Sequence, residues 1–251
     1  MTYPRIHRLS TINLIYHQSY DYDFHAYRTD FTGDSGVGKS LIADLLQLIF
    51  VGSDEFKSAT LSDGTRQPRT MVFQRPNRGV DMGYAFLNIE KSHNKFIVIG
   101  VYIQNNEERV KSFIIQQGQD FSKDFPNNLI PFDKPVSYND LFQENNILSL
   151  EECKKYLLEK YMYMEQIGHQ RFFSILSKNG ILPIETENYK EAVKIYGEII
   201  RTFARGNKIS FSKDHELKRF LFGDEGKNEI LKQFEKAERE INESITTHES
   251  I

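Results

Sequence analysis

One stretch constrains this chain more than any other: Gly33, Asp34, Ser35, Gly36, Val37, Gly38, Lys39 and Ser40, with Leu41, Ile42, Leu45, Leu46 and Ile49 behind them at helical spacing. The order satisfies G-x-x-x-x-G-K-[ST] at every required position. Glycines are needed there because backbone N–H groups must approach an anion closely, in conformations that side chains would obstruct, with a helix N-terminus pointing at the charge. In such a loop Lys39 holds the β- and γ-phosphates as a point charge, and the Ser40 hydroxyl is a ligand for Mg²⁺. Leu41 has no polar side chain but leaves its backbone N–H for the α-phosphate. The expected cofactors are therefore ATP and Mg²⁺, with residues 33–41 as the binding loop. An aromatic-rich, β-compatible stretch at 20–31 precedes the loop and an apolar helix follows it, which is the context this motif requires.

The remaining composition removes other classes. Cys153 is the only cysteine, so a disulfide-stapled domain or a cysteine zinc site is excluded. The longest nearly pure apolar run, 96–103, is too short to span a bilayer, and the N-terminus lacks an apolar signal core. A cytoplasmic protein without a membrane segment is expected. Net charge is −3, so any contact with nucleic acid must come from a local patch. The seven histidines show no ligand spacing and no pairing with a nucleophile, and are read as structural or exposed.

Along the chain, β-type alternation occupies 6–16 and, after a Ser-, Asp-, Gly- and Arg-rich excursion at 52–79, three runs at 80–89, 95–104 and 109–117. Their short polar connectors predict an antiparallel meander. Ser149 with Glu152 reads as a capping box for a helix to about 162. Further helices are expected at 170–176, stopped by Asn179-Gly180, at 189–203 and at 213–222. Ile230, Phe234, Ala237 and Ile241 follow a 4, 3, 4 spacing, the seam of a coiled coil. Arg66, Arg69, Arg75 and Arg78 form a basic cluster in the excursion that could meet DNA phosphates, and Lys208, Lys213, Lys218 and Arg219 form a second one. Tyr20, Tyr22 and Phe24 are candidates for stacking on adenine.

No apolar strand here ends in an Asp that could position Mg²⁺, and no signature loop is present; 96–103 runs into Gln104-Asn105-Asn106. A phosphate loop near the N-terminus, a meander, no Walker B strand and heptads at the end together resemble the N-terminal half-head of an SMC protein. Within that family 84–89, 96–104 and 178–182 leading to Lys194-Ile195-Tyr196 are similar to the MukB-like branch, which includes the SMC subunit of Wadjet plasmid-defence systems. Ser35 departs from the Asn usual in SMC loops.

The resemblance implies an α/β fold, the N-terminal lobe of an ABC-type P-loop ATPase head with a mixed sheet and an antiparallel β-subdomain (1–226), leading into a coiled-coil arm (227–251). It implies ATPase activity only after joining a C-terminal half that carries the signature motif and Walker B, and after ATP-dependent dimerisation with a second head. The implied partners are that C-terminal half, the second head, a kleisin-type subunit and double-stranded DNA. The implied roles are chromosome organisation or antiviral and plasmid defence. It also calls for a glutamine that ligates Mg²⁺ and takes part in catalysis beside Lys39; Gln166 is the first choice, with Gln170 and Gln74 as rivals. A stand-alone P-loop kinase or nucleotide switch, and a non-catalytic coiled-coil adaptor, are the alternatives.

Overall fold

A computed structural model describes residues 3–58, 66–76, 79–118, 129–143, 146–182 and 189–205. They belong to one compact unit, 1–205. The expected arm at 227–251, the helix at 213–222 and the second basic cluster lie outside the described residues.

The centre is a six-stranded antiparallel sheet. Its strands are β1 (Arg5–Leu14), β2 (His17–Asp23), β3 (Met82–Ser92), β4 (Lys95–Gln104), β5 (Lys111–Gln117) and β8 (Met162–Gln166), in the spatial order β2-β1-β3-β4-β5-β8. The expected meander is present, with Val98 facing Asn88 and Ile115 across its two ladders. The mixed sheet expected from the resemblance is not: every ladder among the described residues is antiparallel. Short hairpins join β1 to β2 and β3 through β4 to β5, which makes those pairs antiparallel, and the two long connections, before β3 and before β8, also bring the chain back antiparallel to its neighbour.

Both faces of the sheet are covered, which explains the apolar run of β4. Ile97, Ile99, Val101 and Ile103 point into one core with helices α1 (Lys39–Val51), α3 (His169–Lys178) and α4 (Tyr189–Arg205). Phe96, Val98 and Tyr102 point into the other, with α2 (Leu150–Glu159), the two-stranded ribbon β6 (Phe142–Gln143) and β7 (Asn146–Ile147), and Phe132 and Val136. Between them Gly100 leaves room for two rings: a Cβ there would lie 2.5 Å from Phe113 Cζ and 2.6 Å from Phe86 Cβ. A strand buried on both faces needs apolar residues at every position rather than at alternate ones.

Helix α1 is buried nearly all round. Leu41, Ile42, Leu45, Leu48 and Ile49 are each at most 4% exposed, and at about 1.5–3 kcal/mol per buried aliphatic side chain they are a major part of the core. The helix ends at Gly52, whose positive φ of 66° lets its N–H turn back to Leu48 O. The capping box is formed as expected: the Ser149 side chain accepts from Glu152 N, and Glu152 accepts from Ser149 N, at the start of α2.

Strand β8 was not anticipated, because its five residues, Met-Tyr-Met-Glu-Gln, show little alternation. Pairing with β5 makes it a strand. Of the β-compatible stretch at 20–31, residues 20–23 belong to β2 and the rest is irregular: β2 ends at Asp23 and no ladder includes Phe24–Thr32. A strand needs a neighbour for its backbone groups, and past Phe24, whose N–H still donates to His7 O of β1, no ladder among the described residues takes up this segment.

Candidate functional site

The glycine loop at 33–38 leads into the N-terminus of α1. Gly33, Gly36 and Gly38 all have positive φ, at 145°, 91° and 92°, a region that side chains with a Cβ rarely adopt. Gly38 is the N-cap of α1, no side chain caps the helix, and its first turn contains no acid. The orphan N–H groups and positive dipole end of the helix are thus left for an external anion. Residues 32–37 are exposed. The Lys39 ammonium folds back over the loop and donates to Gly33 O at 2.7 Å and Asp34 O at 2.6 Å. Ser40 is half-buried in the first turn beside it.

Leu41 differs from expectation. Its N–H donates to Gly38 O at 2.9 Å, so it is engaged in the first turn and not free for an α-phosphate.

The loop rests on the hairpin between β1 and β2. Tyr16, held at φ 64° in the turn, places its Cβ 2.9 Å from where a Gly38 Cβ would lie, and His17 Nε2 is 2.6 Å from that point. His17 Nε2 bonds Gly38 O at 3.1 Å. Beside this contact lies an open groove of about 600 Å³ whose lining includes Tyr16, His17, Tyr20, Tyr22 and Phe73. Of the three aromatic candidates, Tyr20 and Tyr22 line the groove, with ring centroids 4.5 Å apart and Tyr20 56% exposed. Phe24 instead packs on Phe31 and the main core.

Helix α1 then crosses the sheet. Its start touches His17 at the head of β2, whereas Ser53, just past its end, accepts from Val110 N at 2.9 Å, beside β5. Thirteen residues span about 20 Å, close to the four strand spacings, about 19 Å, between β2 and β5. This crossing decides the fate of Gln166. It ends β8 three residues before His169, whose Nε2 bonds Phe50 O at 3.2 Å at the far end of α1. Ser40 is ten residues earlier on that helix, about 15 Å along its axis. Gln166 and Ser40 are therefore not brought together as a pair of Mg²⁺ ligands. Gln170, on α3, shares the remote corner. Gln74 lies on the loop side, next to Phe73, which lines the aromatic groove.

The arginine cluster is also rearranged. Arg66 donates to Asp44 at 2.8 Å, a carboxylate on α1 that is fully buried and also accepts from Ser58 Oγ at 2.9 Å. Arg75 pairs with buried Asp81 through its Nη2 at 2.6 Å and its Nε at 2.8 Å. Arg69 donates to Gln67, and Arg78 lies outside the described residues. Two of the four guanidinium groups are thus paired with buried carboxylates. Asp44 is 22 residues from Arg66, which hid the pairing from local charge counting.

Histidines carry more of this site than their spacing implied. His169 stacks on Phe172 and accepts from the Tyr189 hydroxyl at 2.5 Å through Nδ1. Burial holds its pKa below the usual 6.5, against the smaller opposing effects of the Phe50 carbonyl and Asp54. Each end of α1 is therefore held by a histidine that a tyrosine hydroxyl orients: His17 with Tyr22, and His169 with Tyr189. No signal in the sequence marks either pair.

Among the described residues no helix is long and apolar enough to cross a membrane. No protein-family model matches the chain, and no curated protein matches it significantly.

Proposed function

We propose that this chain is the ATP-binding N-terminal lobe of an ABC-type head in an SMC-like protein. The observation that carries the reading is the uncapped start of α1 behind three positive-φ glycines, with the Lys39 ammonium folded over Gly33 and Asp34. That arrangement suits an anion with several oxygens, because the cation and the orphan N–H groups lie on one loop. Lys39 would exchange its two carbonyl bonds for phosphate oxygens, and Ser40 would hold Mg²⁺ through its hydroxyl. The metal, when bound, neutralises phosphate charge. The groove at Tyr20 and Tyr22 offers ring faces to a base on the side of the loop where His17 touches Gly38.

The antiparallel sheet over α1 fits the β-subdomain of such a head. The irregular segment 24–32 fits a chain whose strand partners come from a second lobe. Head engagement around ATP, ATP turnover with a C-terminal half, a kleisin-type partner and action on DNA follow from the same reading.

Isothermal titration of the full 251-residue chain with Mg·ATP tests it. Binding in the wild type is expected, with at least a roughly tenfold loss in Lys39→Ala, the scale of one or two charge-assisted hydrogen bonds. Equal affinity in the two proteins would sink the reading. ATP turnover by this chain alone would instead favour a stand-alone nucleotide enzyme.

A further inference from the structure

Both ends of the phosphate loop rest on β2. Phe31, two residues before Gly33, packs edge-on against Tyr22 with ring centroids 6.0 Å apart, and Gly38, at the far end, lies against the His17 ring. His17 is only 8% exposed, and its ring makes two hydrogen bonds. A carbonyl can only accept, so Nε2–H donates to Gly38 O at 3.1 Å, and in the neutral ring Nδ1 accepts from the Tyr22 hydroxyl at 2.5 Å. Tyr22 is itself held by Tyr20 and Phe31.

We propose that His17, oriented by Tyr22, is a positioning residue for the phosphate loop, holding Gly38 so that the first N–H groups of α1 stay aimed at the anion. The proposal rests on the nucleotide reading above. Two facts make Gly38 the place where such a hold counts. Its left-handed φ of 92° is what turns the chain from loop into helix. Its carbonyl also accepts from Leu41 N at 2.9 Å and Ile42 N at 3.4 Å, so its direction sets that of the first helical turn.

The bond from His17 does not compete with a ligand as those of Lys39 do. The Lys39 ammonium has three N–H donors, two of them on Gly33 O and Asp34 O, and turning it to several phosphate oxygens draws on the same donors. The Gly38 carbonyl points down the helix, as its bonds to Leu41 and Ile42 require, and so faces away from the anion. Once Lys39 is engaged, the His17 contact still ties the loop to the sheet. A preorganised donor set binds without the cost of ordering it at the moment of binding.

The experiment is titration of the full chain with Mg·ATP, alongside thermal unfolding without nucleotide. His17→Phe keeps the ring and loses both hydrogen bonds; roughly fivefold to tenfold weaker binding is expected, about the value of one hydrogen bond. His17→Gln places an amide N–H at the reach of Nε2 and is expected to recover most of the affinity, which packing alone would not restore. Tyr22→Phe should weaken binding severalfold by releasing the ring. His169→Phe, at the other end of α1, controls for loosening of the helix in general. Wild-type affinity in His17→Phe, or an equal loss in His169→Phe, overturns the proposal. Should His17→Phe not fold, Tyr22→Phe decides, and wild-type affinity there overturns it. A wild-type chain that does not bind Mg·ATP overturns the nucleotide reading itself, and this proposal with it.

Discussion

Gly38 shows how much a single position carries. A side chain there meets two obstacles at once: φ of 92° and a Cβ position 2.6 Å from His17 Nε2. Gly38→Ala is expected to destabilise the fold by about 1–3 kcal/mol, the range for a residue forced into a sparsely populated backbone region, and to lose Mg·ATP affinity because His17 must move. Urea denaturation with a parallel titration measures both; an unchanged midpoint would mean that the loop relaxes without strain. The glycine turn ahead of α1 was legible from its spacing, because a contiguous loop carries its geometry in order. His17 was not, because its partner lies 21 residues away and only the hairpin brings them into contact.

Between elements, the decisive contact is the one α1 makes with the excursion after it. Asp44 faces inward on a helix otherwise packed with aliphatic residues, and it takes Ser58 and Arg66. Its side chain is fully buried and that of Arg66 is 17% exposed. Breaking such a pair leaves a charge without compensation, which costs about 3–5 kcal/mol. Asp44→Ala should therefore lower stability by that order in urea denaturation, and limited proteolysis should cut first between residues 52 and 79. A loss below about 1 kcal/mol would mean that the ion pair is not maintained in solution. Helical periodicity predicted α1 well, since its apolar positions repeat at 3.6 residues. The same pattern treated Asp44 as one more helical position, because periodicity ignores what a buried carboxylate needs.

Across the whole molecule, α1 lies over the sheet like a crossbar with a histidine at each end. His169 makes stability depend on pH. Burial holds its folded-state pKa below 6.5, so as pH falls through 6.5 the unfolded chain takes up a proton that the folded chain refuses. Stability from this site is fully present above about pH 6.5, declines below it, and levels off only beneath the folded-state pKa. His7, also lowered chiefly by burial, acts in the same direction. His169→Gln should therefore show a shallower loss of stability than the wild type between pH 6.5 and 5, read from urea midpoints at each pH. Parallel slopes would mean that His169 does not titrate with folding.

The sequence by itself determined what is local: the glycine loop at 33–38, the apolar helix behind it, the antiparallel meander and the capping box at Ser149. Each depends on residues within one or two turns or hairpins, where spacing and geometry are tied together. Tertiary structure alone decided which distant groups meet. It made β8 a strand by pairing it with β5 and left 24–32 without a ladder. It bound Arg66 and Arg75 to buried carboxylates, and it set Gln166 beside the far end of α1. The physical reason is that hydrogen bonds and ion pairs act over a few ångströms in space, whereas a sequence orders residues only along the chain. The direction in which α1 crosses the sheet, which no local pattern encodes, decides which side chains stand beside Ser40.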